Sequence, residues 1–198
     1  MASHRGVEAA MLALEAALRR EQPAELAAFA PVRLLGSADL ARQDLGGLLG
    51  LYVYRVEIDS ATRNRYHVPP PGSNAAVQPL LPLVLHFLLF PWVANASEEL
   101  RLLGWAMQAL ARIAELDAAR IGAFDPDWLD NERASVQPED LSIEDLLRIW
   151  DGLPLRYRPS AAYAVRTVFV REPPQAGAGR VRTRVFGLDT ETGAGAGP

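Results

Sequence analysis

The 198-residue chain contains no cysteine and no lysine, so that all 20 of its basic residues are arginine. The absence of thiols excludes a disulfide framework, a thiolate metal site and a cysteine nucleophile. The absence of lysine excludes the phosphate-binding GxxxxGK[ST] loop. Histidine is scarce as well, with three residues, and no two of them have the i, i+4 spacing of a helical zinc site.

The chain also lacks an excess of positive charge and a long apolar run. Its 24 acidic and 20 basic residues give a net charge of −4, which argues against a nucleic-acid binder that neutralises phosphates. The most apolar stretch, 79–94, contains three prolines and is shorter than the roughly 20 residues of a membrane helix. Glu8 and Glu15 interrupt the apolar N-terminus, so no signal peptide is predicted. We therefore expect a soluble protein that starts in the cytoplasm, without membrane insertion.

Hydrophobic periodicity predicts helices and strands in an irregular order. Helices are predicted at 7–20, from about 95 to 115, and from 142 to 151. Strands are predicted at 32–35, 48–59, 80–90, near Val136 and at 163–170. This order lacks the regular βαβα alternation of a doubly wound sheet, and we expect an α+β fold in which helices pack on a mixed β-sheet. Residues 1–172 are predicted to form a single domain. Residues 173–198 are predicted to be a Pro/Gly linker, an exposed strand and a disordered C-terminus.

The same periodicity predicts which residues of each element face the core. The predicted core positions are Val7, Met11, Leu14 and Leu18 in the first helix; Tyr52, Tyr54, Val56 and Ile58 in the strand at 48–59; Leu100, Leu103, Met107 and Leu110 in the second helix; and Ile143, Leu146, Leu147 and Trp150 in the third.

No local motif predicts a catalytic, cofactor or metal site. His86 lies inside an apolar strand, which is typical of a core histidine with one nitrogen satisfied, and His67 borders a proline-rich loop. Asp125, Asp127 and Asp130 superficially resemble a calcium loop, but the glycine and glutamate that such a loop needs are missing, which favours a solvated acidic loop. We expect the protein not to be an enzyme and to need no cofactor.

Five arginines form the densest basic features of this acidic chain and are candidate partner-binding residues. Arg63 and Arg65 lie on a predicted turn, and Arg180, Arg182 and Arg184 alternate along the predicted C-terminal strand. One interpretation is a solvated edge on which charge prevents unwanted strand pairing. The other is a strand that adds to a neighbouring chain's sheet while its arginines contact acidic surfaces.

Four segments in series resemble a known family. They are PLLPLVLHFLL at 79–89, EELRLLGWAMQAL at 98–110, LSIEDLLRIW at 141–150 and YRPSAAYAVR at 157–166. Their order over about residues 7–171 is similar to that of the N-terminal domain of cap, or tail-terminator, proteins of antifeeding-prophage-type extracellular contractile injection systems. The resemblance implies fold-bearing roles for Gly104 (close helix approach), Trp150 (core), Ser160 and Tyr163 (sheet packing).

The resemblance further implies a tail-terminator-like fold and a structural role in a bacterial particle. Such a subunit would form a ring, typically a hexamer, that ends the inner tube and sheath and anchors the distal sheath end. Its partners would be copies of itself and the tube and sheath subunits, and it would be assembled in the bacterial cytoplasm before becoming part of the particle.

Two alternatives to this role remain open. The first is a tail-completion or baseplate adaptor protein of a contractile phage-like particle. The second is a small hydrolase that would use His86 or His67 together with Asp125 or Asp127.

Overall fold

The computed structural model describes residues 4–42, 44–63 and 80–171 of the chain. The helices are α1 (Gly6–Glu21), α2 (Ala24–Ala27), α3 (Ser37–Leu40), α4 (Ser60–Arg63), α5 (Ala96–Ile113), α6 (Ala118–Ile121) and α7 (Ile143–Asp151). The strands are β1 (Val32–Leu35), β2 (Leu48–Ile58), β3 (Leu80–Trp92), β4 (Glu115–Leu116), β5 (Ala134–Pro138) and β6 (Ala161–Arg171). The predicted linker and strand at 173–198 lie outside the described residues.

All six strands belong to one mixed sheet in the order β1-β2-β3-β6-β5-β4. β1 runs parallel to β2, and the other neighbouring pairs are antiparallel. β3 occupies the interior of the sheet, which explains why its sequence is apolar on both faces. The predicted α+β class with a mixed sheet is confirmed.

The larger core lies between the sheet and the helices α1 and α5; this side of the sheet is called the α1/α5 face. Strand residues of this core are Leu49, Leu51, Leu85, Phe87, Leu89 and Val165. Of the four predicted α1 residues, Met11, Leu14 and Leu18 are buried against them, and Val7 is partly buried against the same core.

A smaller core lies on the opposite side of the sheet, called the α7 face. Leu48, Leu88 and Phe90 of the strands form it together with Trp150 of α7. The indole of Trp150 meets the Phe90 ring edge to face, with 5.4 Å between the ring centroids. α7 begins as the sequence predicts, because the Ser142 hydroxyl accepts a hydrogen bond from the Asp145 N–H.

The predicted core faces of α5 and α7 are partly wrong. Leu100 is 64% exposed and Met107 is 43% exposed. The residues that α5 buries are Glu99, Leu102, Ala106, Ala109, Leu110 and Ile113. In α7, Ile143 and Leu147 are 57% and 43% exposed, whereas Trp150 is buried. Periodicity favoured the largest apolar side chains, whereas the face that α5 buries includes the small residues Ala106 and Ala109.

The predicted inner face of β2 is also wrong, because the strand contains a bulge. Pairing of β2 with β3 shifts register between Val53 and Arg55. Before the shift, Tyr52 lies opposite Leu88 on the α7 face; after it, Val56 lies opposite Leu85 on the α1/α5 face. A one-residue shift moves every later side chain to the other face. The four predicted inner residues therefore do not lie on the same face of the sheet.

The predicted solvated loop after α6 is only partly solvated. Asp125 has no exposed surface, and its carboxylate accepts a hydrogen bond from the Asp127 N–H. The Trp128 indole is also buried, and its Nε1–H donates to the Glu132 carbonyl at 3.1 Å. Hydrogen bonds within the segment allow its polar groups to be buried, a result that composition alone does not predict.

Candidate functional site

Three of the four family-like signature residues carry the fold as expected, and one does not. Trp150 is buried, and its Nε1–H donates to the Ser160 hydroxyl at 3.0 Å. Tyr163 is buried and stacks on Phe87 with 5.8 Å between ring centroids. At Gly104, an added Cβ would meet open space, so the expected close helix approach is wrong there.

A close approach that does require glycine occurs at Gly50 in β2. A Cβ on this residue would lie 2.8 Å from the Phe90 ring and 2.9 Å from Leu35. Any side chain would therefore push β2 away from the small core on the α7 face. This glycine precedes the aromatic half of the strand and gave no separate signal in the sequence.

A polar cluster around the buried His86 lies on the α7 face and consists of Tyr54, Glu57, His86 and Glu139; it is called the His86 cluster. The ring nitrogen Nδ1 of His86 lies 2.8 Å from the Glu139 carboxylate. The Tyr54 hydroxyl donates to the same carboxylate at 2.8 Å. Oε1 of Glu57 lies 3.3 Å from Nε2 of His86. The cluster thus ties β2 and β3 to the residue that follows β5.

The electrostatics of this cluster favour a neutral phenol. Burial raises the pKa of Tyr54 well above its ordinary value, and the hydrogen bond to Glu139 raises it further. The hydroxyl proton is therefore held on Tyr54, where it satisfies one of the Glu139 oxygens. The side chain acts as a hydrogen-bond donor between two strands rather than as an acid.

His86 matches the prediction of a core histidine with one satisfied nitrogen. The residue is 3% exposed, and its Nε2 is buried without a hydrogen-bond partner. Buried in this way, Nε2 has no direct contact with solvent through which it could take a proton from a substrate. The hydrolase alternative named Asp125 and Asp127, whereas the structure places Glu57 and Glu139 beside the ring. His67 lies outside the described residues.

A second charged cluster joins the end of β3 to the start of α5 and is centred on Arg158. The guanidinium forms an ion pair with Glu99 and donates to the Val93 carbonyl at 3.1 Å. It also lies over the Trp92 ring, 4.6 Å from the centroid. A cavity of about 390 Å³ borders the cluster and is lined in part by Asp44 and Glu98. This arrangement was not predictable from the sequence, because Arg158 lies 59 or more residues along the chain from its partners.

Few of the predicted partner-binding arginines fall within the described structure. Arg63 is the last residue of α4, and Arg65, Arg180, Arg182 and Arg184 lie outside the described residues. Just before α4, the hydrogen bond from the Thr62 hydroxyl lowers the pKa of Asp59 and keeps its carboxylate charged. An ionised carboxylate thus lies four residues before Arg63, and the role predicted for the five arginines stays a prediction.

Two kinds of feature are absent from the part of the chain that the structure describes. No helix there is long and apolar enough to cross a membrane. Within the same residues, no group of three or more histidine, aspartate or glutamate side chains is arranged to hold a metal ion.

The described residues form a domain built on a mixed β-sheet. Its charged clusters connect strands and helices within that domain. The chain matches the model of the Pvc16 N-terminal domain over residues 10–184, and it belongs to that family. The resemblance to cap and tail-terminator proteins is thereby confirmed. Comparison with curated protein sequences finds no significant match.

Two solved structures share the fold. One is the sheath/tube terminator of the PVC extracellular contractile injection system in its extended state, with a TM-score of 0.59, 18% identity, and coverage of 96% of this chain and 65% of that one. The other is the tube-terminating cap of the anti-feeding prophage, with a TM-score of 0.51, 17% identity, and coverage of 82% and 57%. The chain thus spans less than two thirds of the length of either.

Proposed function

We propose that this chain is a structural subunit that ends the inner tube and sheath of a contractile injection system and anchors the distal sheath end. The observation that carries the proposal is the family match over residues 10–184, together with a fold shared with a sheath/tube terminator and a tube-terminating cap. The role is non-enzymatic. The chain is assembled in the bacterial cytoplasm and then becomes part of the particle.

The working form is a closed ring, with six copies as the stoichiometry that the resemblance implies. Closing a ring requires head-to-tail contacts in which two different surfaces of the chain meet. Exposed apolar side chains on α5 and α7, such as Leu100 and Ile143, are available for contacts with tube or sheath. The five arginines, Arg63, Arg65, Arg180, Arg182 and Arg184, contact acidic surfaces of neighbouring subunits.

The first test is the mass of the purified protein in solution, measured by light scattering over a concentration series. We expect a species near six times the 21.6 kDa mass of the chain. The second is co-sedimentation with separately assembled tubes and with sheath. Binding to tube ends supports the proposal, whereas binding to baseplate but not to tube ends replaces it with the adaptor role.

A His86→Ala variant separates the structural role from the hydrolase alternative. Because His86 is buried between Glu57 and Glu139, we expect the substitution to lower the free energy of unfolding. Capping by the variant should fall only in proportion to the fraction of the protein that is unfolded. A variant with unchanged stability that no longer functions would contradict the structural role of this histidine.

A further inference from the structure

Among the described residues, one stretch of sheet edge has no neighbouring strand. β1 pairs with β2 only over Leu49–Tyr52, and no described strand pairs on that side with the rest of β2, residues 53–58. An open edge presents unpaired backbone N–H and C=O groups that can accept another strand. This segment is called the open edge of β2.

The open edge has one polar and one apolar face. After the bulge, Arg55 and Glu57 lie on the α7 face and form an ion pair with each other. Val56 and Ile58 lie on the α1/α5 face, where they are 50% and 46% exposed. Leu81 of β3, on the same face, is also exposed, so the apolar surface continues across two strands. A strand added here would cover this apolar surface.

The C-terminal sequence supplies a segment with the same two-faced pattern. In residues 180–188, Arg180, Arg182 and Arg184 alternate with Val181, Thr183 and Val185. As an extended strand, the segment would present arginines on one face and β-branched side chains on the other. Its arginines would lie beside the carboxylates of Glu57, which is paired with Arg55, and of Asp59, which accepts a hydrogen bond from Thr62. Its β-branched residues would lie beside Val56 and Ile58.

The end of β6 leaves residues 180–188 within reach of an open edge of β2. β6 ends at Arg171, opposite Leu80, at the same end of the sheet as the end of β2. Eight residues, 172–179, separate Arg171 from the two-faced segment and can span about 26 Å when extended. The opposite edge of the sheet is a poor partner for β2, because β4 has two residues and β5 ends at Pro138.

We propose that residues 180–188 of one copy add as a strand to the open edge of β2 in the next copy of the chain. Backbone hydrogen bonds would supply affinity, and the matched faces would fix the register. Because each copy donates one strand and accepts one, the contact is head-to-tail and can close a ring. The inference rests on the proposed ring and names the surface that joins its subunits.

The absence of cysteine makes a direct test possible in the full-length chain. One preparation carries Ile58→Cys, and the other carries Val181→Cys, Thr183→Cys or Val185→Cys together with a size tag. Paired strands bring facing Cβ atoms within about 5.5 Å, within reach of a disulfide after small shifts. We expect mixing and mild oxidation to give a tagged–untagged heterodimer for at least one position of the segment. It should be lost when Arg180, Arg182 and Arg184 are changed to glutamate.

The matched control is Leu147→Cys on α7, whose exposure is close to that of Ile58. Heterodimer yield no greater than with this control overturns the proposal. A second variant carries Ile58→Cys and a segment cysteine in one chain. If it closes only an intrachain disulfide when mixed with wild-type protein, the segment covers its own edge and the proposal is wrong. Cross-linking without tube binding contradicts the terminator role alone, and tube binding without cross-linking contradicts the strand addition alone.

Discussion

Trp150 contacts two residues, Phe90 and Ser160, that are far apart in the sequence. Its indole packs on Phe90 of β3, and its Nε1–H donates to Ser160 just before β6. The side chain is 2% exposed, so almost all of its surface is removed from water. The sequence predicted this burial because Trp150 falls at the end of a periodic apolar pattern. The Ser160 contact is tertiary and was not predictable from that pattern.

Trp150→Ala should lower the free energy of unfolding by about 3–5 kcal/mol, since it removes a large buried side chain and leaves a cavity. Leu147→Ala in the same helix is the matched control, because Leu147 is partly exposed and should change stability far less. Urea unfolding of the three proteins measures both effects. Equal stability of Trp150→Ala and wild type would contradict the placement of α7 on the sheet.

Tyr54→Phe should flatten the fall in stability at alkaline pH. The pKa of Tyr54 is raised in the folded state, so its neutral form contributes stability that is complete below the unfolded pKa near 10 and is lost as pH rises. Unfolding free energies between about pH 9 and pH 11 measure the slope. Tyr157→Phe is the control, because this residue is half exposed. If the unfolding free energy of Tyr54→Phe fell with pH as steeply as that of the wild type, the predicted contribution of Tyr54 would be wrong. At neutral pH, the loss of the hydrogen bond to Glu139 should cost about 1.5–3 kcal/mol.

At the scale of elements, α5 illustrates where periodicity misleads. Its core face contains Ala106 and Ala109 in place of the large residues Leu100 and Met107. Both faces of this helix carry apolar residues at helical spacing, so the sequence permits either. The choice follows from the distance between helix and sheet, which only the packed structure sets.

Ala106→Leu should destabilise the domain by about 1–3 kcal/mol, because the buried alanine has no room for three further carbons. Leu100→Gln, on the exposed face of the same helix, should change the free energy of unfolding by less than about 0.5 kcal/mol. Thermal and urea unfolding of the pair measure the difference. If Leu100→Gln were instead the more destabilising substitution, the buried face of α5 would be the one that periodicity predicts.

At the scale of the whole molecule, the sheet and both cores lie within residues 4–171. Removing residues 173–198 should therefore leave the unfolding midpoint of the dilute protein unchanged. Self-association and attachment to sheath should weaken, because the segment with Arg180, Arg182 and Arg184 is lost. A shorter deletion of 190–198 keeps that segment and serves as the control. Light scattering and sheath co-sedimentation measure the result, and equal association of the two deletions would contradict it.

Much of the fold was predictable because it depends on local pattern. The strands at β1, β3 and β6 follow from short apolar runs between prolines and glycines, and α7 follows from its Ser142 cap. The His86 cluster was predictable only in part. The apolar strand around His86 indicated burial, but its neighbours Tyr54, Glu57 and Glu139 come from distant positions in the chain.

The sequence by itself determined the class of the protein: an α+β domain, with element positions and a family resemblance carried by four local segments. The tertiary structure alone decided which sides of β2 and α5 are buried, because one bulge in β2 and two alanines in α5 depart from what periodicity predicts. It also decided which edge of the sheet has no described neighbour, since strand order is set by pairings between distant segments. Local preferences act over a few residues, whereas register and strand order depend on contacts that form only when the chain is packed.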